Sequence, residues 1–280
     1  MNKGGLSHTT IKAGPKHIPV LISEVIEALA PRDNGIYLDT TLGAGGYSKA
    51  LLEAAKCKVC AIDRDPVAIA NASELVTKFS GRLITLEGRF SDMETLLSSH
   101  GIYEVDGIAF DLGISSTQLD TANRGFSFRY DAALDMRMET KGPTAREIIN
   151  TSTEEILADL IYDFGEERRA RAIARAIVIA REKSPINCTT QLADIVRQVV
   201  RHKNSGKDPA TRTFQALRIY INDELKQLDL GLAASERLLK PGGRLAVVSF
   251  HSLEDRKVKN FLGKLSGDRP NPSRHQPAIV

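Results

Sequence analysis

Apolar and polar positions follow two rhythms along the chain. Short apolar runs stand at Gly35-Ile-Tyr-Leu-Asp39, Lys58-Val-Cys-Ala-Ile-Asp63, Leu83-Ile-Thr-Leu-Glu87 and Val105-Asp-Gly-Ile-Ala-Phe-Asp111. Runs this short, closed by an acid or a turn, predict buried strands of a parallel sheet. Helical patterns lie between them. One opens at Asp65-Pro66, where an acid ahead of a proline at the first helical position marks an N-terminus, and carries Val67, Ile69, Ala70, Leu75 and Phe79. Strands and helices alternating at this spacing predict βα units.

The rhythm breaks near Ser115. From there to Arg212 no strand is predicted, and loops rich in Gly, Ser, Arg and Asp lead into helical periodicity over 154–164, 166–183 and 190–202. After Pro209, Phe214, Leu217, Ile221, Leu225, Leu228 and Leu232 fall on one stripe and predict a single long helix. Pro241-Gly-Gly243 stops it, and Arg244 to Phe250 returns to strand pattern. The chain reads as a doubly wound α/β unit interrupted after its fourth strand. Its first part covers 1–114, a helical insertion 115–212, and the second part 213–280. The stretch 266–277 is polar and rich in proline, which predicts an extended segment.

Composition narrows the class. At 280 residues, 42% apolar and 26% charged, the sequence is neither disordered, collagen-like nor a small disulfide scaffold. No apolar run approaches the ~18 residues of a membrane span, and no signal-peptide h-region stands in the first twenty. Three cysteines give no disulfide framework and fit a reducing compartment, so a cytoplasmic protein is expected. The net charge of +3 is unevenly placed. Between Thr121 and Arg218 stand 17 Lys/Arg against 13 Asp/Glu, whereas the rest of the chain holds 21 against 22. The positive excess coincides with the insertion, which points to a polyanionic partner on that element.

Candidate chemistry sits at the strand ends. Asp39-Thr-Thr-Leu-Gly43-Ala-Gly45-Gly46-Tyr47 joins the first strand to the first helix of the sheet unit, and Asp63 ends the second strand. Glycines let the backbone turn sharply and approach a ligand, while an acid at the second strand end can accept both hydroxyls of a ribose. The spacing is not the G-x-G-x-x-G of dinucleotide folds, since position 48 is Ser. Asp39 ahead of the first glycine favours S-adenosyl-L-methionine, where a carboxylate near the methionine amino group is tolerated. Asp111-Leu-Gly-Ile-Ser-Ser116 ends the fourth strand, where amino-directed methyltransferases hold acceptors for a target –NH2. The Asp/Asn/Ser-Pro-Pro-aromatic form common there is absent. Cys57-Lys-Val-Cys60 has no second pair, Cys60 reads as core, and no metal held by protein ligands is expected.

A set of ordered motifs completes the picture. His17-Ile-Pro-Val-Leu, Asp63-Arg-Asp-Pro, Asp111-Leu-Gly-Ile-Ser-Ser-Thr-Gln-Leu-Asp, Arg124-Gly-Phe-Ser-Phe, Leu134-Asp-Met-Arg-Met, Tyr162-Asp-Phe-Gly-Glu-Glu, Ala210-Thr-Arg-Thr-Phe-Gln-Ala-Leu-Arg-Ile and Ser249-Phe-His-Ser-Leu-Glu-Asp-Arg follow in sequence. Together they closely resemble the bacterial RsmH (MraW) family, from about His17 to Phe261. The resemblance implies a Rossmann-like class I S-adenosylmethionine-dependent methyltransferase sheet with a helical domain inserted after the fourth strand. It implies methyl transfer to the exocyclic N4 of a decoding-region cytosine of 16S ribosomal RNA, within an assembled or assembling 30S subunit. Matched residue by residue, cofactor contacts fall on Gly45, Gly46, Tyr47, Asp63, Phe90, Asp111 and Gln118, beside Gly43 of the same turn. Tyr47 stands where the family commonly has His. Asp111 is the first candidate for orienting the amino group, with His251 second as proton acceptor or base contact. Arg168, Arg171 and Arg175 on one helical face are candidates for phosphate contact, and Phe126 and Phe128 for stacking on a splayed base. Family members run on past the Phe261 helix into a further strand, so the C-terminal end is expected to be missing. Two rival readings remain: a DNA amino-methyltransferase, and a non-catalytic RNA-binding protein with a vestigial pocket.

Overall fold

The computed structural model describes residues 19–200, 206 and 208–267. The His17 motif's first residues and the proline-rich tail beyond 267 lie outside them. The chain opens with α1 (Ile22–Leu29), then β1 (Ile36–Asp39), α2 (Gly46–Ala54), β2 (Lys58–Asp63), α3 (Pro66–Asn71), α4 (Ser73–Lys78), β3 (Leu83–Glu87), α5 (Met93–Ser98) and β4 (Val105–Asp111). A run of helices follows: α6 (Ser116–Asp120), α7 (Ala145–Thr151), α8 (Glu154–Gly165), α9 (Ala170–Lys183), α10 (Thr189–Val199), α11 (Thr211–Asn222) and α12 (Glu224–Leu238). The sheet resumes with β5 (Leu239–Val248), and α13 (Ser252–Leu265) closes the described chain.

The five strands are all parallel, in the order β3-β2-β1-β4-β5. The order reverses between β1 and β4, the place in such sheets where ligands sit beyond the carboxyl ends. Register brings those ends level: Asp63 pairs with Glu87 and Asp111 with Val248. Side chains alternate between two cores, as the strand period of two requires. Tyr37, Val59, Ala61, Ala109 and Val248 pack under α1 and α2, while Leu38, Cys60, Ile62, Ile108 and Phe110 pack against α5, α12 and α13. Cys57 belongs to the first core and Cys60 to the second, so the two thiols lie on opposite sides of the sheet.

A third core lies off the sheet. Phe126, Leu134, Met136 and Met138 of the loop after α6 fill it together with α7, α8, α9, α10 and α11. Among the described residues this region holds no strand, only an isolated bridge between Ala133 and Cys188. The stripe from Phe214 to Leu232 forms two helices and not one. Asn222 ends α11, and Asp223 turns the chain in the left-handed region at φ 53°. Phe214 and Leu217 then serve the helical core, Leu228 and Leu232 the sheet core. Helical packing therefore extends past position 212.

Candidate active site

The loop from Thr40 to Gly45 follows β1 out of the sheet and is stitched to its neighbours. Thr40 N–H donates to Ala109 O at 2.9 Å and Leu42 N–H to Ile62 O at 2.9 Å. Gly43 (φ 50°) and Gly45 (φ 77°) occupy left-handed conformations that glycine reaches without steric cost. Gly46 begins α2 where a β-carbon would overlap the Pro19 ring. Asp39 lies underneath and not in the cleft. Its Oδ1 accepts from Thr41 N–H (3.2 Å) and its Oδ2 from the Ser48 hydroxyl (2.6 Å) and amide (3.1 Å). The expected placement of Asp39 near a ligand amino group is corrected: it is 1% exposed and fixes the start of α2. Tyr47 is buried, and its hydroxyl donates to Val20 O, tethering the segment before α1.

Around this loop opens a cleft of about 400 Å³. Gly43, Gly46, Tyr47, Asp63, Phe90, Asp111 and Gln118 all line it; Gly45 turns the backbone beside them. Asp63 Oδ2 accepts from Gly43 N–H at 2.8 Å and Oδ1 from Asp65 N–H at 2.9 Å. Burial pushes its carboxyl up to about 6 against those two bonds. Phe90 stands edge-on to Phe110, ring centroids 5.4 Å apart, as an apolar wall. Gln118 is fully engaged. Its Oε1 accepts from Ser115 N–H in a capping box at the start of α6, and its Nε2 donates to Asp65 Oδ2 at 2.8 Å. Asp65, 3% exposed, also receives Arg124 at 2.7 Å. Gln118 thus reaches the cleft as part of a buried Asp65–Gln118–Arg124 junction, for which a lone loop glutamine carries no sequence signal.

Asp111 ends β4 with its amide donated to the Thr41 hydroxyl at 2.8 Å. Its Oδ1 is buried and has no hydrogen-bond partner, and Gln227 Oε1 on α12 is in the same condition. Burial, then the charges of Asp39 and Glu254, push the Asp111 carboxyl up to about 6. Two orphaned acceptors in one cleft await a ligand that brings donors.

His251 is placed differently from expectation. It is the N-cap of α13: Nδ1 accepts from Glu254 N–H at 3.4 Å, while Glu254 Oε2 accepts from the amides of Phe250 (2.9 Å) and His251 (3.3 Å). Its Nε2 sits 3.1 Å from Glu254 Oε1 without hydrogen-bond alignment. The ring is turned onto α13 and His251 does not line the cleft. Glu224, His251 and Glu254 are close enough to suggest a cation. Both Glu224 oxygens already accept from Arg218, at 2.9 and 3.0 Å, and Glu254 Oε2 from two backbone amides.

The remaining candidates separate. Arg171 and Arg175 are exposed on α9, whose opposite side carries buried Ile173 and Ile177. Arg168 is exposed in the turn before it, since the helix begins at Ala170. Phe126 is buried in the helical core and cannot stack on a base, which corrects that expectation. Phe128 is half-buried, edge-on to Phe214 and under Arg197. Residues the sequence reading passed over line the cleft instead: Arg218, Glu224, Gln227, Phe250 and Glu254. Phe250 and Glu254 flank His251 in the same motif, so the motif was visible but not which of its members faces outward.

A model of the MraW methylase family matches residues 14–277. The chain belongs to that family. Ribosomal RNA small subunit methyltransferase H of Paramagnetospirillum magneticum is 58% identical over 261 residues, covering 93% of this chain and 82% of that protein. Its counterparts in Rhodospirillum centenum and Nitrobacter winogradskyi are 58% identical over 260 and 267 residues, each covering 79% of the relative. The protein is a methyltransferase, and S-adenosylmethionine is its methyl donor. The residues present fit that cofactor: a glycine turn that admits a close ligand, a carboxylate at the end of β2, an aromatic wall at Phe90 and an orphaned acceptor at Asp111.

Proposed function

We propose that the protein transfers a methyl group from S-adenosylmethionine to the exocyclic N4 of a cytosine in small-subunit ribosomal RNA. The observation that carries this reading is Asp111 Oδ1, a buried carboxylate oxygen with no donor at the carboxyl end of β4. The relatives' shared name, ribosomal RNA small subunit methyltransferase H, supports the RNA as substrate. The motifs extend it to a decoding-region cytosine in an assembled or assembling 30S subunit.

Gly43, Gly45, Gly46 and Tyr47 shape the turn that holds the cofactor, Asp63 receives its ribose hydroxyls, and Phe90 lies beside its adenine. Gln118 fixes the far wall through Asp65. When bound, the cofactor supplies a methyl group activated by its attachment to a positively charged sulfur. Asp111 does the rest of the alignment. The lone pair of an aromatic amine is delocalised into the ring; an N4–H donated to Oδ1 turns that pair toward the methyl. As the N–C bond forms, N4 becomes positive, and Oδ1 is placed to accept the proton that must leave. His251 acts indirectly, by capping α13, whose Glu254 holds the Phe250 backbone at the cleft. Arg168, Arg171 and Arg175 lie on the insertion as phosphate contacts, consistent with the positive excess there.

The decisive experiment incubates the protein and S-adenosylmethionine with 30S particles or naked 16S ribosomal RNA and maps N4-methylcytosine. One modified cytosine is expected. Tight S-adenosylmethionine binding with no methylated base on either substrate would leave the non-catalytic reading standing.

A further inference from the structure

Three features meet at Gly113, two residues past Asp111. Gly113 adopts φ +96°, and a β-carbon built there would lie 3.7 Å from Phe250 Cδ2 and 3.9 Å from Arg218 Nη1. The positive φ calls for glycine, and the ring and the guanidinium flank this turn beside the orphaned carboxylate. Phe250 lines the cleft yet is 55% exposed, unusual for a large apolar side chain on a wall otherwise packed. Its backbone is not loose, because its amide is held by Glu254 Oε2.

Arg218 is equally constrained. Nε and Nη2 form a fork on Glu224, both side chains nearly buried at 13% and 10% exposure. Nη1 donates to no described residue, and the fork fixes its direction. A cleft with a fixed free donor at Arg218, free acceptors at Asp111 and Gln227 and an exposed aromatic face has the elements needed to recognise a nucleobase.

We propose that Phe250 and Arg218 form the target-base subsite, Phe250 stacking on the ring while Arg218 Nη1 donates to the acceptor at ring N3. This rests on the cytosine-N4 reading above and deepens it into a basis for choosing the base. Cytosine offers an amino donor next to ring acceptors; uracil offers a carbonyl acceptor next to an N3–H donor. With Asp111 accepting and Arg218 donating, cytosine satisfies both groups. Uracil faces each with its like and leaves both desolvated without partners. Glu224 serves as the positioning residue that locks the fork.

The test compares wild-type protein with Arg218→Met, Phe250→Ala and Phe250→Trp on 30S particles, with labelled S-adenosylmethionine binding measured on each. Arg218→Met and Phe250→Ala are expected to lower kcat/KM for the particle roughly 10- to 100-fold while cofactor affinity stays within about twofold. Phe250→Trp restores most of the rate, because it restores the stacking face. Particles carrying uracil at the mapped position should compete more weakly than unmethylated cytosine particles against wild type, and by a smaller margin against Arg218→Met, where only Asp111 still opposes the uracil O4. Unchanged transfer in both truncations, or cofactor affinity falling in step with transfer, overturns the subsite. Wild-type protein that forms no N4-methylcytosine removes the parent reading, and the subsite with it.

Discussion

Asp111 carries opposite consequences for activity and for stability. The acceptor role proposed for it requires the ionised carboxylate, and its pKa is pushed up to about 6 by burial and by Asp39 and Glu254. Transfer by the free enzyme should therefore lose rate as pH falls through about 6, and kcat/KM measured from pH 5 to 8 reads that limb. Asp111→Ala should cost on the order of 100-fold or more at saturating S-adenosylmethionine; near-normal transfer would remove Asp111 from the chemistry. For stability the sign reverses. A carboxyl whose folded pKa is raised favours the folded chain below its ordinary range, and that contribution is lost as pH rises through about 6. Asp111→Asn should stabilise the ligand-free protein above pH 6, by roughly 1–2 kcal/mol given its partial exposure to the cleft, and bring no gain near pH 4. Denaturant unfolding at both pH values checks this. Gly43, Asp63 and Asp111 were legible in the sequence because a tight turn and a strand end leave marks in residue type. Phe126 and Phe250 were not, since in a loop nothing in the sequence tells an inward ring from an outward one.

At the scale of elements, the strand runs were readable because each is apolar throughout, the mark of a strand covered on both faces. The stripe from Phe214 to Leu232 was misleading for a related reason: 3–4 spacing survives a one-residue break when both helices bury the same kind of face. Asn222 marks the break. It is 2% exposed, accepts from Met138 N–H at 2.8 Å and donates to Met136 O (2.8 Å) and Arg218 O (2.9 Å). Asn222→Ala would strand two backbone groups of the Leu134–Met138 segment and is expected to cost about 2–4 kcal/mol in chemical denaturation. A loss below ~0.5 kcal/mol would mean those groups find other partners.

For the whole molecule, the alternation of strand and helix foretold the sheet, and the loss of that alternation foretold the insertion. The contacts joining them have no such pattern, since residues distant in sequence meet only after folding. Charge belongs to this scale as well. Reversing Arg168, Arg171 and Arg175 to Glu should weaken binding to ribosomal RNA and reduce the slope of log K against log salt by about 2–3. An unchanged slope would take this face out of the interface. One contact reaches further. Asp65, two residues past Asp63, receives both Gln118 of α6 and Arg124 ahead of the helical core, while Arg64 reaches Glu139 and the Asn222 carbonyl. The cleft wall and the helical region thus share a seam of side-chain hydrogen bonds, through which the two parts are expected to be coupled. Filling the cleft with S-adenosylmethionine should slow amide exchange in α7, which does not line the cleft, in addition to the sheet. Protection confined to the sheet would mean the seam transmits nothing. If the coupling holds, cofactor occupancy sets the rigidity of the surface that meets RNA, and the order in which the two ligands bind becomes a property of the fold.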